Sequence, residues 1–277
     1  MYFKVILIIL FNVSILSICS IAALREDFFV SDDKDFKEAL IANSLTIEEW
    51  VESINIKKEG FYCLGETHRI AYRNFLSTMI FPNLKMDTMF FEADTKELSE
   101  ILDAHNSSKN ATLVGIDISS VLSAVFEVNP SVKVFGVENT NEQQNEQNRR
   151  NNISKREFLS GDGFAAQNAE EIIEKGKMHF SLYGSNHCSK NALALGGLIT
   201  FYRHLLNNKV LPSENMKSIL MLEEGRGDFL ADFFWRLGLN KKTFVIPDTS
   251  KIDEKIYNYN WKIKTYFDNY DTIIFFN

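Results

Sequence analysis

One design occurs twice in this chain, as FYCLGETH at residues 61–68 and as FSLYGSNH at residues 180–187. Each segment is an apolar run that ends in Gly-x-x-His. If each run is a buried strand of a parallel sheet, and its glycine lets the backbone turn sharply at the carboxyl end, both histidines project from the same edge of the sheet. Open α/β folds place their sites at that edge. The two segments therefore predict a cleft that contains His68 and His187.

Strand and helix patterns alternate along most of the chain that follows residue 60. Helical periodicity separates the apolar runs, which predicts an α/β fold with a mainly parallel sheet and helices on both faces. The stretch 139–152 is rich in Asn, Gln and Glu and is predicted to be a solvated surface segment. Strands are expected at 61–64, 88–91, 112–116, 132–137, 180–183, 218–222, 243–246 and 272–276. Helices are expected at 69–80, 96–104, 164–174, 191–206 and 228–237.

The first 22 residues have the pattern of a secretory signal peptide. Lys4 supplies a positive start, a nearly unbroken apolar stretch follows, and small residues near Ala22 offer a cleavage site. The sequence therefore predicts export to a periplasm or to the medium, with no stable membrane span after cleavage. A retained membrane anchor is the alternative. We expect three parts: the signal at 1–22, a helical cover at 23–59 with helices at 35–43 and 47–54, and one α/β domain at 60–277.

The charge and the cysteine content limit the classes of partner and the disulfide chemistry that we expect of this chain. Cleavage of the signal removes Lys4 and no acidic residue, which leaves 29 basic and 37 acidic residues and a net charge of −8. An acidic chain of this kind predicts no nucleic-acid partner. Two cysteines remain, Cys63 and Cys188, which is too few for a disulfide framework. Cys63 is interpreted as an apolar filler and Cys188 as a candidate thiol near the site, while a disulfide between them stays open.

Acidic residues end or follow several of the predicted strands. Glu66 lies within the first motif, Glu92 follows the run at 88–91, and Glu138 follows the run at 132–137. Carboxylates beside imidazoles can do general acid–base chemistry, because the acid fixes the tautomer of the ring and raises its basicity. The same set could bind a divalent metal. The alternative for each acidic residue is a structural role, either on the surface or next to a helix N-cap.

The remaining titratable candidates receive structural interpretations. Arg73 lies about one turn beyond His68 and is expected to form a surface salt bridge, with pairing to a site carboxylate or to an anionic substrate as alternatives. His179 is expected to be structural, and His105 and His204 are expected to be exposed or to flank helices. No Gly-x-Ser-x-Gly elbow, His-Glu-x-x-His motif, phosphate-binding loop or Cys-x-x-Cys pair occurs in the sequence, so a nucleophilic serine is not indicated.

The ordered motifs resemble those of the superfamily that joins erythromycin esterases, ChaN haem-binding lipoproteins and TIKI/TraB metalloprotease-like proteins. LGETH at 64–68 resembles their opening motif, FE at 91–92 and FGVE at 135–138 resemble their acidic strand ends, and YGSNH at 183–187 resembles their second glycine-histidine motif. Between them, DGFAAQN at 162–168 resembles a helix that in those families begins Arg-Asp. Gly161 and Ala71 occupy positions where those families carry arginine.

The resemblance implies three functions for one cleft. An esterase-like mechanism makes His68 the general base on water, with Glu66 and Glu92 orienting it and His187 stabilising charge on the carbonyl. A TIKI-like mechanism makes His68, Glu92 and His187 the ligands of Mn, Co or Zn.

A ChaN-like function makes the chain a haem or iron-uptake protein, with Tyr72 and Tyr183 as candidate iron ligands. The sequence-based hypothesis is an exported hydrolase of a small-molecule or peptide substrate that contains an ester or peptide bond. Its site residues are Glu66, His68, Glu92, Glu138 and His187, and haem binding is the alternative.

Overall fold

The computed structural model of this chain describes residues 30–277, except residues 139, 141, 142, 144, 146–160, 192–198, 226, 227, 240, 241 and 259. The predicted signal segment lies outside the described residues, as do most of the stretch 139–152 and the middle of the helix predicted at 191–206. Among the residues that are described, no helix is both long enough and apolar enough to cross a membrane.

A seven-stranded sheet forms the centre of the fold and confirms the prediction of a mainly parallel α/β architecture. The described residues form the strands β1 (Gly60–Glu66), β2 (Thr88–Phe91), β3 (Thr112–Leu113), β4 (Ile116–Asp117), β5 (Lys133–Gly136), β6 (Met178–Gly184), β7 (Met216–Glu223), β8 (Phe244–Ile246) and β9 (Thr272–Phe276), of which β3 and β4 lie outside this sheet. Their order in the sheet is β5-β2-β6-β1-β7-β9-β8, in which only β8 runs antiparallel to its neighbour. Both β1 and β6 are buried along their whole length, which is why they appear as continuous apolar runs.

Ten α-helices surround the sheet within the described residues. They are α1 (Val30–Ala42), α2 (Ile47–Asn55), α3 (Ile70–Phe75), α4 (Thr95–Asn106), α5 (Ser119–Val128), α6 (Gly161–Glu170), α7 (Phe201–Asn208), α8 (Phe229–Arg236), α9 (Glu254–Tyr257) and α10 (Trp261–Asn269). A π-helical turn, Leu76–Ile80, continues α3. The sequence-based prediction missed α5, α9 and α10.

The strand predicted at 112–116 is wrong, because this run folds back on itself. Thr112 pairs with Asp117 and Leu113 with Ile116 in an antiparallel hairpin outside the main sheet. Val114 and Gly115 form its turn and both have positive φ, 53° and 74°. Two left-handed residues in succession are typical of a tight hairpin turn. The chain then returns through α5, and β5 pairs directly with β2.

Apolar side chains alternate across the sheet and form cores on both faces. In β1, Tyr62 and Leu64 belong to the core beneath α2, α3 and α5, whereas Phe61 and Cys63 belong to the core beneath α6 and α7. Helices α1, α8 and α10 pack on a further cluster with residues of β7, β8 and β9. Successive strand residues point to opposite faces, so this alternation requires helices on both sides.

The segment expected to be a helical cover also contributes to the core. Trp50 of α2 and Phe36 of α1 are fully or nearly fully buried, at 3% and 0% exposed. Leu45, between these helices, pairs with Val245 of β8 through two backbone hydrogen bonds of 2.8 and 2.9 Å. The described part of this segment therefore extends the edge of the sheet as well as covering it.

Candidate functional site

Four neighbouring strands end at one edge of the sheet and bring the predicted site residues together. Strands β5, β2, β6 and β1 are consecutive and parallel, so their carboxyl ends lie side by side. Glu66 is the last residue of β1 and pairs in register with Gly184, the last residue of β6. His68 and His187 follow these two strands. Glu92 follows β2, which lies between β6 and β5 in the sheet. The structure thus brings the two predicted histidines together at this edge of the sheet.

Gly184 allows these side chains to meet. A Cβ atom at this position would lie 3.1 Å from Cδ2 of His187, 3.2 Å from Nε2 of His68 and 3.4 Å from Oε2 of Glu92. Neither Gly184 nor Gly65 has a positive φ. The chain does turn directly after Gly184, whose backbone oxygen accepts a 2.9 Å hydrogen bond from the N–H of His187, but neither glycine is needed for a left-handed conformation. Their role is to admit close neighbours, which a side chain would displace.

Glu66 holds the first imidazole. Its Oε1 lies 3.2 Å from Nδ1 of His68 and also forms an ion pair with Nη2 of Arg73. Glu66 and Arg73 are 1% and 0% exposed, so the expected surface salt bridge of Arg73 is instead a buried pair with a site carboxylate. Burial lowers the pKa of Arg73, and the carboxylates of Glu66 and Glu92 oppose that shift. The buried pair places a positive charge directly behind Glu66.

Asp162 holds the second imidazole in the same way. Its Oδ1 lies 2.7 Å from Nδ1 of His187, and its Oδ2 accepts a 2.9 Å hydrogen bond from the backbone N–H of Phe201 at the start of α7. Asp162 was not among the predicted site residues, although it opens the motif at 162–168. The available signal was an acidic residue that opens a motif whose next four residues, 163–166, are small or apolar.

Glu92 lies between the two imidazoles and faces both. Its Oε2 is 3.4 Å from Nε2 of His68 and accepts a 2.6 Å hydrogen bond from the N–H of Gly184. Its Oε1 is 3.9 Å from Nε2 of His187. The side chains of His68, His187 and Glu92 are 30%, 29% and 18% exposed, so the cluster is accessible from solvent. One carboxylate is thus shared by two histidines, and each histidine has an acid of its own at Nδ1.

The electrostatics of the cluster favour protonated imidazoles. The hydrogen bond to Glu66 raises the pKa of His68, and the charge of Glu92 adds to this shift. Burial lowers the pKa of His187, but the bond to Asp162 and the nearby carboxylates outweigh burial and raise it overall. Nδ1 of each ring is already bound to its own acid. A second proton on Nε2 lets this nitrogen donate toward Glu92, whereas an unprotonated Nε2 would place its lone pair opposite a carboxylate oxygen. The cluster can therefore supply both an acid and a base.

Glu138 and Tyr183 form a pair beside the cluster. The hydroxyl of Tyr183 donates a hydrogen bond to Oε1 of Glu138, and its ring stacks on Phe201 and meets His187 edge-on. Burial raises the pKa of Glu138. The structure thus places Glu138 against Tyr183 and not against an imidazole.

Both tyrosines predicted as iron ligands are buried and already bonded. Tyr183 is 0% exposed, and its hydroxyl contacts Glu138. Tyr72 is 3% exposed, and its hydroxyl accepts hydrogen bonds from Thr67 and from the backbone of Glu223 at 3.3 and 3.2 Å. Ligation of haem iron by either phenol would require these contacts to break, so neither Tyr72 nor Tyr183 is a ready ligand in this arrangement. Haem binding stays a prediction.

The other histidines and the cysteines lie outside the cluster. Nε2 of His179 lies 3.0 Å from the backbone oxygen of Glu174, which confirms its structural role. His105 packs against Phe126 at the end of α4. Cys63 and Cys188 form a disulfide, so the interpretations of a filler and a free thiol are wrong. Adjacent strands bring these two residues together across 125 positions of sequence.

The predicted metal ligands His68, Glu92 and His187 lie together at the sheet edge. In the part of the chain that the structure describes, no group of three or more His, Cys, Asp or Glu side chains is arranged to hold a metal ion. Nδ1 of each imidazole is held by an acid, as is also common in histidines that bind a metal through Nε2, and Oε2 of Glu92 accepts a backbone hydrogen bond. We therefore derive no chemical step through Mn, Co or Zn, and the metal stays a prediction.

Comparisons with known proteins identify no family for this chain. No family model matches it, and no curated protein matches it. One similar solved structure is the crystal structure of RRSP, a MARTX toxin effector domain from Vibrio vulnificus CMCP6, at 14% identity and a TM-score of 0.34. The match covers 66% of this chain and 38% of that one, so this chain spans well under half of that length. At this TM-score the likeness carries no argument about function.

Proposed function

We propose that this chain is an exported hydrolase of ester or peptide bonds, with Glu92 and His187 as its reacting groups and His68 as a positioning residue. The observation that supports this most is the arrangement of the two imidazoles, each held at Nδ1 by a carboxylate and directed at one shared, partly exposed carboxylate. A positioned base beside a positioned acid is what hydrolysis of a carbonyl compound requires. The motifs that resemble the esterase, ChaN and TIKI superfamily support the same reaction class.

Glu92 is the proposed general base. Its Oε1 is 3.9 Å from Nε2 of His187, a separation that a water molecule can bridge. Its other oxygen is held by Gly184 and His68, so the carboxylate is fixed in place. In this arrangement Oε1 takes a proton from the water while the water oxygen attacks the carbonyl carbon of the substrate. The carbonyl electron pair moves to its oxygen, which becomes negatively charged.

His187 is the proposed acid. In its doubly protonated form Nε2–H donates a hydrogen bond to the developing oxyanion, and Asp162 stabilises the positive ring from the other side. When the carbonyl forms again, the bond to the leaving oxygen or nitrogen breaks and that atom takes the Nε2 proton. Glu92 then returns its proton to Nε2 across the gap that separates them. The products are a carboxylic acid and an alcohol or amine, and both side chains regain their starting states.

These roles differ from the assignment of His68 as base in the sequence-based hypothesis. Both nitrogens of His68 already face carboxylates, at 3.2 Å from Glu66 and 3.4 Å from Glu92, and its pKa is raised. With both ring nitrogens directed at carboxylates, His68 has no nitrogen left to take a proton from the attacking water. His68 instead orients Glu92 and balances its charge, and Glu66 and Arg73 act through His68 as positioning residues.

The disulfide supports the exported part of the proposal. Disulfides persist in oxidising compartments and are rare where cellular thiols are kept reduced. The Cys63–Cys188 bond agrees with the leader-like residues 1–22 in favouring a periplasm or the medium. The excess of acidic residues favours substrates other than nucleic acids.

Hydrolysis of a peptide mixture and of a panel of carboxylic esters tests the proposal. Mass spectrometry of cleaved peptides and titration of released acid do not require a known substrate. We expect the purified protein to hydrolyse at least one class, and Glu92→Gln and His187→Gln to lower the rate by about 100-fold or more. His105→Gln is the matched control and should retain the full rate, because His105 packs on Phe126 away from the cluster.

The pH profile of the rate separates the two assignments of the base. If His187 is the acid, the rate falls as pH rises through its raised pKa. If His68 is the base, the rate rises with pH through the raised pKa of His68. A wild-type protein with no turnover of either substrate class, or a Glu92→Gln variant with an unchanged rate, would overturn the proposal.

A further inference from the structure

The disulfide joins the loop that carries His187 to the middle of the sheet. Cys63 is the fourth residue of β1, which has β6 on one side and β7 on the other. Cys188 directly follows His187, and both cysteines are 0% exposed. The covalent bond thus fixes the residue next to a reacting histidine to one of the most enclosed strands of the fold.

Close packing at Gly65 provides a second observation that this loop lies against β1. A Cβ atom on Gly65 would lie 2.9 Å from Cα of Ser185 and 3.3 Å from Cβ of Cys188. Gly65 therefore leaves room on β1 for the start of the loop. Cys63, two residues earlier on the same strand, attaches the loop covalently. The position of this loop depends on both features.

Polar contacts complete the attachment on either side of the disulfide. Ser218 Oγ of β7 donates a hydrogen bond to the backbone oxygen of Cys188. The N–H of Tyr202 donates a 3.1 Å hydrogen bond to the backbone oxygen of His187, and the N–H of His187 donates one of 2.9 Å to Gly184. Without the disulfide, only hydrogen bonds would hold the backbone around His187. A small shift of that backbone would lengthen the 2.7 Å bond between its Nδ1 and Asp162.

We propose that the Cys63–Cys188 disulfide is a positioning element for His187, so that the site is complete only in the oxidised chain. This inference rests on the function proposed above for His187. Formation of the bond transfers two electrons and two protons from the cysteine thiols to an external disulfide, which leaves as two thiols. A chain made in a reducing compartment is then inactive until it reaches an oxidising one. Export and activity are coupled through one covalent bond.

Histidine ring NMR tests the positioning without any substrate. The chain has five histidines, and long-range ¹H–¹⁵N spectra report the hydrogen bond at each ring. We compare the oxidised protein, the protein reduced with dithiothreitol, and Cys63→Ala/Cys188→Ala, with assignments from His68→Gln and His187→Gln. We expect the Nδ1–H signal of His187 to broaden or disappear in both disulfide-free forms and the signal of His68 to persist. Reoxidation of the reduced protein should restore the His187 signal.

The hydrolysis rate gives the second readout. Misplacement of a reacting group by about 1 Å can cost about 100-fold, and we expect a loss of that order in both disulfide-free forms. Ile263→Ala is the control for general destabilisation, because Ile263 is fully buried in the core cluster of α10. At a temperature where all forms are folded by circular dichroism, this control should retain its rate and its His187 signal.

The two readouts distinguish the inference from the proposed function. An unchanged His187 signal in the reduced, folded protein would overturn the positioning role, whatever the hydrolysis rate. Absence of hydrolysis in every form would overturn the proposed function, while the NMR comparison would still decide the positioning role. Equal losses of rate in Ile263→Ala and in the cysteine variant would also overturn the inference, because stability alone would then explain the effect.

Discussion

Replacement of Arg73 by methionine tests the buried ion pair behind His68. Arg73 and Glu66 are 0% and 1% exposed, and methionine keeps much of the aliphatic volume while it removes the charge. The Glu66 carboxylate then loses its cationic partner in a dry environment. Removal of one partner of a buried pair costs about 3–5 kcal/mol. That is a large part of the ~5–15 kcal/mol by which folded proteins are stable.

The double variant Glu66→Gln/Arg73→Met is the matched control. The existing pair is incompletely satisfied, because Oε2 of Glu66 and Nε and Nη1 of Arg73 find no hydrogen-bond partner among the residues that the structure describes. An imperfectly bonded buried pair contributes little net stability, so removal of both charges should cost only about 1–2 kcal/mol. The amide that replaces the carboxylate can still accept a hydrogen bond from His68. We therefore expect the second substitution to recover most of the stability that the first one loses.

Urea unfolding at pH 7, followed by tryptophan fluorescence, measures both changes. For a domain of this size each kcal/mol shifts the melting temperature by about 2–4 °C, so Arg73→Met should melt roughly 6–20 °C below the wild type. The reasoning is refuted if Arg73→Met loses less than about 1 kcal/mol. It is also refuted if the stability lost by the double variant equals the sum of the losses in Arg73→Met and Glu66→Gln, because the two charges would then be independent.

Three further predictions follow from the same geometry. Gly184→Ala places a Cβ atom 3.1 Å from His187 and 3.2 Å from His68, so we expect about a 100-fold loss of hydrolysis with an unchanged circular dichroism spectrum, and a full rate would contradict this. The raised pKa values of His68 and His187 add stability that is present below the unfolded value of ~6.5 and lost as pH rises through the folded values. Urea midpoints should therefore fall from pH 6 to pH 9, and should fall less in His187→Gln; equal slopes would argue against this linkage. Val114→Gly relieves a β-branched residue at φ 53° and should stabilise the fold by about 1 kcal/mol, whereas a lower melting temperature would show that the turn is not strained.

Local patterns were sufficient to predict the elements that carry the site. Apolar runs followed by His68, Glu92 and His187 are short-range signals, and the rule that parallel strands end at one edge placed them together. The same reasoning misassigned 112–116, because a β-branched residue at position 114 favours a continuous strand over the left-handed turn that forms. It also missed α5, α9 and α10, whose apolar residues find their partners only in the assembled core.

The sequence by itself determined that glycine-histidine strands and acidic strand ends would share one edge of a parallel sheet. The periodicity of apolar residues and the alternation of strands with helices, which makes the strands parallel, are both patterns among neighbouring residues. Only the tertiary structure decided which acid each imidazole would receive. Asp162 reaches His187 from another helix, Arg73 turns inward to Glu66, and Cys63 meets Cys188 across 125 residues. These pairings depend on the order of the strands and on which side chains are excluded from water. Both are properties of the whole packed chain, and no local pattern in the sequence encodes them.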